Sequence, residues 1–168
     1  MYDSLLTRRS IRRYEPQQVP DALLDAVLEA GLYAPTAKNN QKPVMVAIRD
    51  KQTRDRLSAM NAAVMGVDTD PFYGAPCVIV VLADPSLPTW VEDGSLVLGN
   101  LLNAAHGLNL GSCWINRARE MFDTPEGKVL LRQWDVPEGY RGIGCCILGF
   151  SAEVPAPKPR AEGRIRKI

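Results

Sequence analysis

The chain has 168 residues, 46% of them hydrophobic, with 20 lysines and arginines against 19 acidic residues and a net charge of +1. This length and composition predict a single domain over residues 1–168 with a sizeable core. The near-neutral charge gives no reason to expect a nucleic acid or a membrane as a partner. The longest strongly apolar run, around residues 78–83, is far shorter than the ~20 residues that cross a bilayer. The first ten residues also lack the apolar segment of a signal peptide, so a cytoplasmic location is expected.

The predicted elements begin with helices and continue with strands and helices mixed. This pattern indicates an α+β fold in which helices cover a mixed central sheet. The first half of the chain is predicted to contain a short helix that Asp3 caps and that runs through Arg9, a helix from Pro20 to before Pro35, a strand over Val44–Ile48 and a polar-faced helix over Lys51–Met60. The second half is predicted to contain a strand over Cys77–Leu82, a helix over Asp93–Leu108, a helix from Thr124-Pro125 toward Trp134 and a strand over Ile143–Phe150.

The helix predicted over 93–108 is apolar almost all the way round. A helix that is apolar on every side must be buried on every side. A chain of this size with a small sheet would struggle to supply that cover. The pattern therefore predicts a long buried helix at the interface of a homodimer.

The cysteines do not have the spacing of a metal site. All four lie in apolar runs, and none belongs to a CxxC pair. Cys145 and Cys146 are neighbours in a predicted strand, which directs adjacent side chains to opposite faces. Buried free thiols and no metal are the prediction.

Basic residues gather at both ends of the chain. If residues 8–12 are helical, Arg8 and Arg12 share a face and could bind a phosphate together with Ser10; a solvated basic helix end is the alternative. The Pro-rich VPAPKP stretch and the basic end that follows it have little core of their own. Residues 155–168 are therefore predicted to be a tail that stays loose or wraps a partner subunit.

Four stretches span most of the chain and together match one family pattern in order and spacing: RRSIRRYEP at 8–16, APTAKNNQKP at 34–43, EDGSLVLGNLLNAAHGLNLGSCWI at 92–115, and GYRGIGCCILGFSAEVPAPKPR at 139–160. In these stretches the chain resembles the nitroreductase family of flavin oxidoreductases. The resemblance implies a homodimer that binds FMN.

The resemblance also implies roles for individual residues. Part of the polar loop would come from the partner subunit. The FMN phosphate and ribityl chain would be bound by Arg8, Arg9, Ser10 and Arg12, and Arg160 would close the phosphate site. The edge of the flavin ring would be lined by Pro35, Thr36, Ala37 and Lys38, and the flavin would be contacted by Asn39 and Gln41.

The chain departs from the family pattern at Asn116-Arg117. Many members have an acidic residue and a glycine there, and a backbone amide reaches flavin N5. The amide near Asn116 and Arg117 could still do so, because it does not depend on the side chain. The Arg117 cation could bind an anionic substrate or an NAD(P)H phosphate, or point to solvent.

The implied reaction is a ping-pong transfer of reducing equivalents from NAD(P)H, a transient reductant, to a small oxidised acceptor such as a nitroaromatic or a quinone. The cofactor carries the chemistry, so no catalytic side chain is assigned. No dinucleotide or P-loop motif is present. A non-catalytic flavin-binding protein, for storage or redox sensing, is the alternative. A nucleic-acid-binding module is disfavoured by the net charge.

Overall fold

The computed structural model describes residues 2–168, with side chains from Ser4 onward. Its centre is a sheet of four strands in the order β1-β2-β4-β3. The strands are β1 Val44–Ile48, β2 Cys77–Ala83, β3 Gly111–Ile115 and β4 Arg141–Gly149. The helices are α1 Tyr2–Thr7, α2 Asp21–Leu32, α3 Lys51–Met65, α4 Trp90–Gly107, α5 Ala118–Asp123 and α6 Pro125–Gln133, with a short 3-10 turn at Ala37–Asn39.

Every neighbouring pair of strands is antiparallel, so the prediction of a mixed sheet is corrected. Strands β2 and β3 run in the same direction, as expected when the helix α4 connects them. Strand β4 lies between them, however, and is antiparallel to both. Among the described residues, the one parallel pairing is the isolated bridge that joins Ser10, which lies outside the four strands, to Ser112 of β3. The α+β class itself is confirmed.

The sheet is buried on both faces, with a hydrophobic cluster on each. All seven residues of β2 are buried, which confirms that its continuous apolar run is a central strand. Cys145 packs into the cluster with α3, α5 and α6, whereas Cys146 packs into the cluster with α2 and α4. The prediction that these two thiols point to opposite faces is therefore confirmed. Burial raises the pKa of the Cys145 thiol to about 12, as expected for an unreactive core cysteine.

Local signals set several helix ends. The Asp50 side chain accepts a hydrogen bond from Thr53 N at 2.8 Å and begins α3, and Thr124 accepts one from Gly127 N at 3.0 Å and begins α6. The predicted Asp3 cap of α1 lies outside the described side chains. The short helix α5 has no strong sequence signal and was not predicted.

One side of α4 is not covered within a single chain. The helix buries Asp93, Val97, Leu98 and Leu101 among its inward residues, but Leu96 is 47% exposed. The exposed Leu96 agrees with the expectation that one chain does not cover every side of this helix. Its place at a homodimer interface stays a prediction. No helix within residues 2–168 is long and apolar enough to cross a membrane.

Candidate functional site

Residues 8–12 are extended, not helical. Helix α1 ends at Thr7, Ser10 forms a bridge to Ser112, and Ile11 N donates to Ser112 O at 3.0 Å. An extended segment places alternate residues on one side. The predicted helix through Arg9 is thus two residues too long, and the helical condition under which Arg8 and Arg12 would share a face is not met. The period of two of the extended segment still puts both on one side with Ser10.

These three residues line one cavity of about 490 Å³. Its other walls come from α4, β3 and β4: Ser95, Leu98, Gly99, Leu102, Cys113, Trp114 and Ile143. The Arg8 Nη1 atom is buried and has no hydrogen-bond partner among the described residues. A buried guanidinium donor without an acceptor is costly, and an anion in the cavity would satisfy it.

The basic segment is fixed from both sides. The Tyr14 hydroxyl donates to Ile11 O at 2.7 Å, and burial raises the Tyr14 pKa well above its usual range. Arg12 N donates to Glu153 Oε1 at 2.5 Å, and the Arg12 guanidinium lies 5.8 Å from the Tyr73 ring centroid. The cavity's cationic edge is therefore held in place before any ligand arrives.

Arg9 points elsewhere. Its Nη1 donates to the carbonyls of Leu6 at 2.9 Å and Arg8 at 2.8 Å, at the end of α1. The Arg9 side chain lines a separate cavity of about 300 Å³ that also includes His106. His106 Nε2 lies 2.8 Å from the Thr7 hydroxyl. The structure therefore places Arg9 apart from Arg8, Ser10 and Arg12.

A glycine shapes the apolar wall of the 490 Å³ cavity. A Cβ atom at Gly144 would lie 2.5 Å from Trp114 Nε1 and 3.0 Å from Leu98 Cδ1. Only glycine lets the indole approach β4 this closely. Trp114, which is 50% exposed, thus presents a flat aromatic surface at the cavity.

The polar loop over 35–41 has an unusual backbone. Lys38, Asn39 and Gln41 all have positive φ angles, of 54°, 52° and 51°. Such conformations cost on the order of 1 kcal/mol each for non-glycine residues and cluster at functional sites. All three side chains are exposed, and none of them lines the cavity with Arg8. Pro35, Thr36 and Ala37 do not line it either.

Asp93 holds this loop to α4 and was missed by the sequence reasoning. Its carboxylate, which is only 3% exposed, accepts from Ala37 N at 2.9 Å, Asn40 Nδ2 at 2.8 Å and Thr89 Oγ1 at 3.3 Å. The available signal was an acid at i−4 from Val97 on the apolar face of the helix. A buried carboxylate there needs local donors.

We expect Asp93→Asn to destabilise the protein by about 1–2 kcal/mol. The new NH₂ group would face a donor and leave at least one hydrogen bond unmade. Urea unfolding measures the loss, and faster hydrogen exchange at the Ala37 amide locates it. Glu92→Gln, one residue away and exposed, is the control and should stay within about 0.5 kcal/mol. An unchanged unfolding midpoint in D93N would contradict the loop-holding role.

The Asn116-Arg117 turn joins β3 to α5. Arg117 precedes α5 with φ of 77°, in the left-handed region. That conformation favours glycine, which is what many members of the resembled family carry at this position. The Arg117 side chain is half-buried, and the structure gives it no salt-bridge partner within residues 2–168.

Arg117→Gly is expected to stabilise the fold by about 0.5–1 kcal/mol, because it relieves the backbone strain of an arginine in the left-handed region. Thermal or urea unfolding checks the sign. Arg119→Gly, in the first turn of α5, is the contrasting variant and should lose about 1 kcal/mol through helix propensity and through its contact with the Trp90 ring, whose centroid lies 4.8 Å away. A destabilised R117G would show that the side chain makes contacts that outweigh the strain.

Arg160 lies in an exposed tail. The chain after β4 is tied down by Ala152 N donating to Arg13 O at 2.9 Å and by the bridge between Tyr14 and Ser151. Residues 155–168 beyond this point are largely exposed, and Arg160 does not line the cavity with Arg8. In one chain, the two basic ends do not meet.

Comparison with known proteins gives one consistent match. The model of the nitroreductase family matches residues 5–71. A protein of Methanothermobacter thermautotrophicus, whose name pairs NADH dehydrogenase with NAD(P)H nitroreductase, is 30% identical over 93% of this chain and 80% of its own length. A Bacillus subtilis protein named FMN reductase (NAD(P)H) is 25% identical over 94% of this chain and 68% of its own. A nitroreductase structure with bound FMN from Bacteroides fragilis superposes with a TM-score of 0.91 and 27% identity, covering 99% of this chain and 97% of the other.

Proposed function

Because this chain belongs to the nitroreductase family, we propose that it is an FMN-dependent oxidoreductase that takes reducing equivalents from NAD(P)H. The observation that carries the proposal is that Arg8, whose Nη1 atom is buried without a partner among the described residues, lines one cavity with Ser10 and Arg12. A phosphate monoester supplies the acceptor oxygens that such a donor lacks.

The residues present fit FMN. Arg8, Ser10 and Arg12 would hold its phosphate and ribityl chain, and the Trp114 indole offers an apolar surface beside them. FMN, when bound, supplies the acceptance and donation of hydride equivalents that the proposed reaction needs. The two arginines favour an anionic, reduced cofactor electrostatically. The backbone at Asn116-Arg117 is proposed to donate a hydrogen bond to the flavin ring.

We also propose that the active unit is a homodimer. Elements α1, α2 and β3 all pack against α4. Large apolar side chains on or next to these four elements are exposed in the single chain: Leu5, Leu6, Leu32, Tyr33, Leu96 and Trp114. A second copy would cover these side chains. It would also bring the exposed Lys38, Asn39 and Gln41 and the tail with Arg160 toward a cavity that they do not reach in their own chain.

The proposed reaction is ping-pong. NAD(P)H binds, is oxidised and leaves. A small oxidised acceptor, such as a nitroaromatic or a quinone, would then occupy the site beside the flavin that NAD(P)H has left. The short chain gives the acceptor an open site, and the Arg117 cation would favour anionic acceptors. The four buried free thiols suit a reducing compartment, and we propose the cytoplasm.

An absorbance spectrum of the purified protein, followed by NAD(P)H addition without oxygen, tests the proposal. Flavin bands that bleach on addition are the expected result. Bands that persist with both NADH and NADPH would favour a flavin-binding protein without this reductase activity. If added FMN does not bind at all, the proposal is wrong.

A further inference from the structure

Asn61 is a buried polar residue with an incomplete set of hydrogen bonds. It lies on α3, is 0% exposed, and packs where α3 meets α5. Its Nδ2 donates to the backbone carbonyl of Asn116 at 2.8 Å and approaches Met121 Sδ at 3.2 Å. Its Oδ1 is buried without a partner among the described residues.

Stability alone does not account for an asparagine here. A buried amide with one unmade hydrogen bond costs about 1–3 kcal/mol relative to a satisfied one. A leucine of similar size would fill the same space without an orphaned oxygen. What leucine could not do is donate to the Asn116 carbonyl. The hydrogen bond to the turn is therefore what asparagine provides at position 61 and leucine would not.

That hydrogen bond fixes the direction of one peptide unit. The Asn116 carbonyl and the Arg117 N–H belong to the same peptide, and the chain has no cis peptide among its described residues. In a trans peptide the C=O and the N–H point in opposite directions. With the carbonyl held inward by Asn61, the Arg117 N–H is directed away from α3. That amide has no acceptor within residues 2–168.

The turn needs such a restraint. Arg117 occupies the left-handed region with φ of 77° and ψ of 9°, where a non-glycine residue is strained. Without a partner for the Asn116 carbonyl, rotation of this peptide would relieve the strain and turn the amide away. The orientation of this peptide depends on ψ of Asn116 and φ of Arg117. The hydrogen bond from Asn61, called the clamp below, therefore restrains the same Arg117 φ angle that carries the strain.

We propose that Asn61 is a positioning residue that holds the Asn116–Arg117 peptide so that the Arg117 amide stays available to the flavin ring. The inference rests on the proposed function, since the amide matters only if FMN binds. Asn61 itself touches no cofactor; it acts through the backbone of the turn.

The test uses the full chain and the variants Asn61→Leu, Asn116→Ala and Met121→Leu. N116A removes only an exposed side chain, and M121L changes the packing around Asn61 without removing the clamp. In the FMN-free protein, N61L should change the Arg117 backbone chemical shifts well beyond the small nearest-neighbour change that N116A causes, and M121L should leave them close to the wild-type values. Unchanged Arg117 shifts in a folded N61L overturn the clamp, whether or not the wild type binds FMN.

The second readout is the affinity for each redox form of FMN. Oxidised flavin N5 accepts a hydrogen bond, whereas reduced N5 carries a hydrogen of its own. Losing an amide donor should therefore weaken oxidised FMN about tenfold relative to reduced FMN, which raises the two-electron midpoint potential by about 30 mV. An N61L protein that is less stable but keeps the wild-type ratio of affinities would show a merely structural role and overturn the proposal. If N61L does not fold, Asn61→Thr, which is too short to reach Asn116 O, takes its place with the same expected shift. Failure of the wild type to bind FMN would contradict the proposed function instead.

Discussion

Replacement of Arg8 by methionine is expected to weaken FMN binding by about 30- to 150-fold. The substitution removes a charge-assisted donor at the proposed phosphate site, and the loss of one such partner from a buried pair costs about 2–3 kcal/mol. Titration of the apoprotein with FMN, followed by flavin fluorescence, measures the change.

Two further readouts assign the effect to the phosphate. Riboflavin lacks the phosphate, so R8M should lose most of the wild-type preference for FMN over riboflavin. The FMN-free R8M protein should be no less stable than the wild type, since Arg8 Nη1 has no partner to lose among the residues that the structure describes. Arg13→Met is the matched control, because Arg13 is exposed, lies in the same segment and does not line the cavity. Equal FMN affinity in R8M and R13M would contradict the phosphate role of Arg8.

The sequence predicted the elements whose signals are local. Strand β1 was predicted with its observed bounds, and β2 within one residue. The Thr124 cap and Pro125 located the start of α6, because the hydroxyl and the proline act on adjacent backbone groups. Segment 8–12 was misread for a long-range reason. Its pairing with Ser112 comes from a strand about a hundred residues later, and no local periodicity reports that contact.

The same distinction between local signals and long-range contacts applies to the candidate site. The charge pattern pointed to Arg8, Ser10 and Arg12, and the structure brings these three together. It did not point to Asp93 or Asn61, whose roles depend on which backbone groups lie opposite them in the fold. The loop over 35–41 and Arg160 stay predictions, because a single chain does not bring them to the cavity.

A second large effect is expected at a buried ion pair on the opposite side of the sheet from α4. Arg54 on α3 is 8% exposed, forms a salt bridge with Asp70 and donates from Nε to Ala75 O at 3.1 Å. Asp70 also accepts from Ser58 Oγ at 2.5 Å and from the amides of Phe72 and Gly74 at 2.8 and 2.7 Å. The network shapes the loop that carries Tyr73, the aromatic neighbour of Arg12.

Arg54→Met is expected to destabilise the fold by about 2–3 kcal/mol. Removing one member of a buried pair costs about 3–5 kcal/mol because the other charge loses its partner, and the 35% exposure of the Asp70 side chain reduces that loss. Urea unfolding at pH 7 measures it. Arg56→Met makes the same substitution on the same helix, where the pair with Glu126 is about half exposed, and should cost less than about 1 kcal/mol.

The pH dependence separates lost charge pairing from lost packing. Burial alone would raise the Asp70 pKa, but hydrogen bonds from Ser58, Arg54 and the two loop amides lower it below its ordinary value. A carboxyl whose pKa is lower in the folded state contributes stability above its unfolded pKa of about 4 and loses that contribution as the pH falls. The gap in stability between wild type and R54M should therefore narrow between pH 7 and pH 3. A gap that stays constant across this range would mean that Arg54 stabilises the protein through packing on Phe72, 5.7 Å away, and not through its charge.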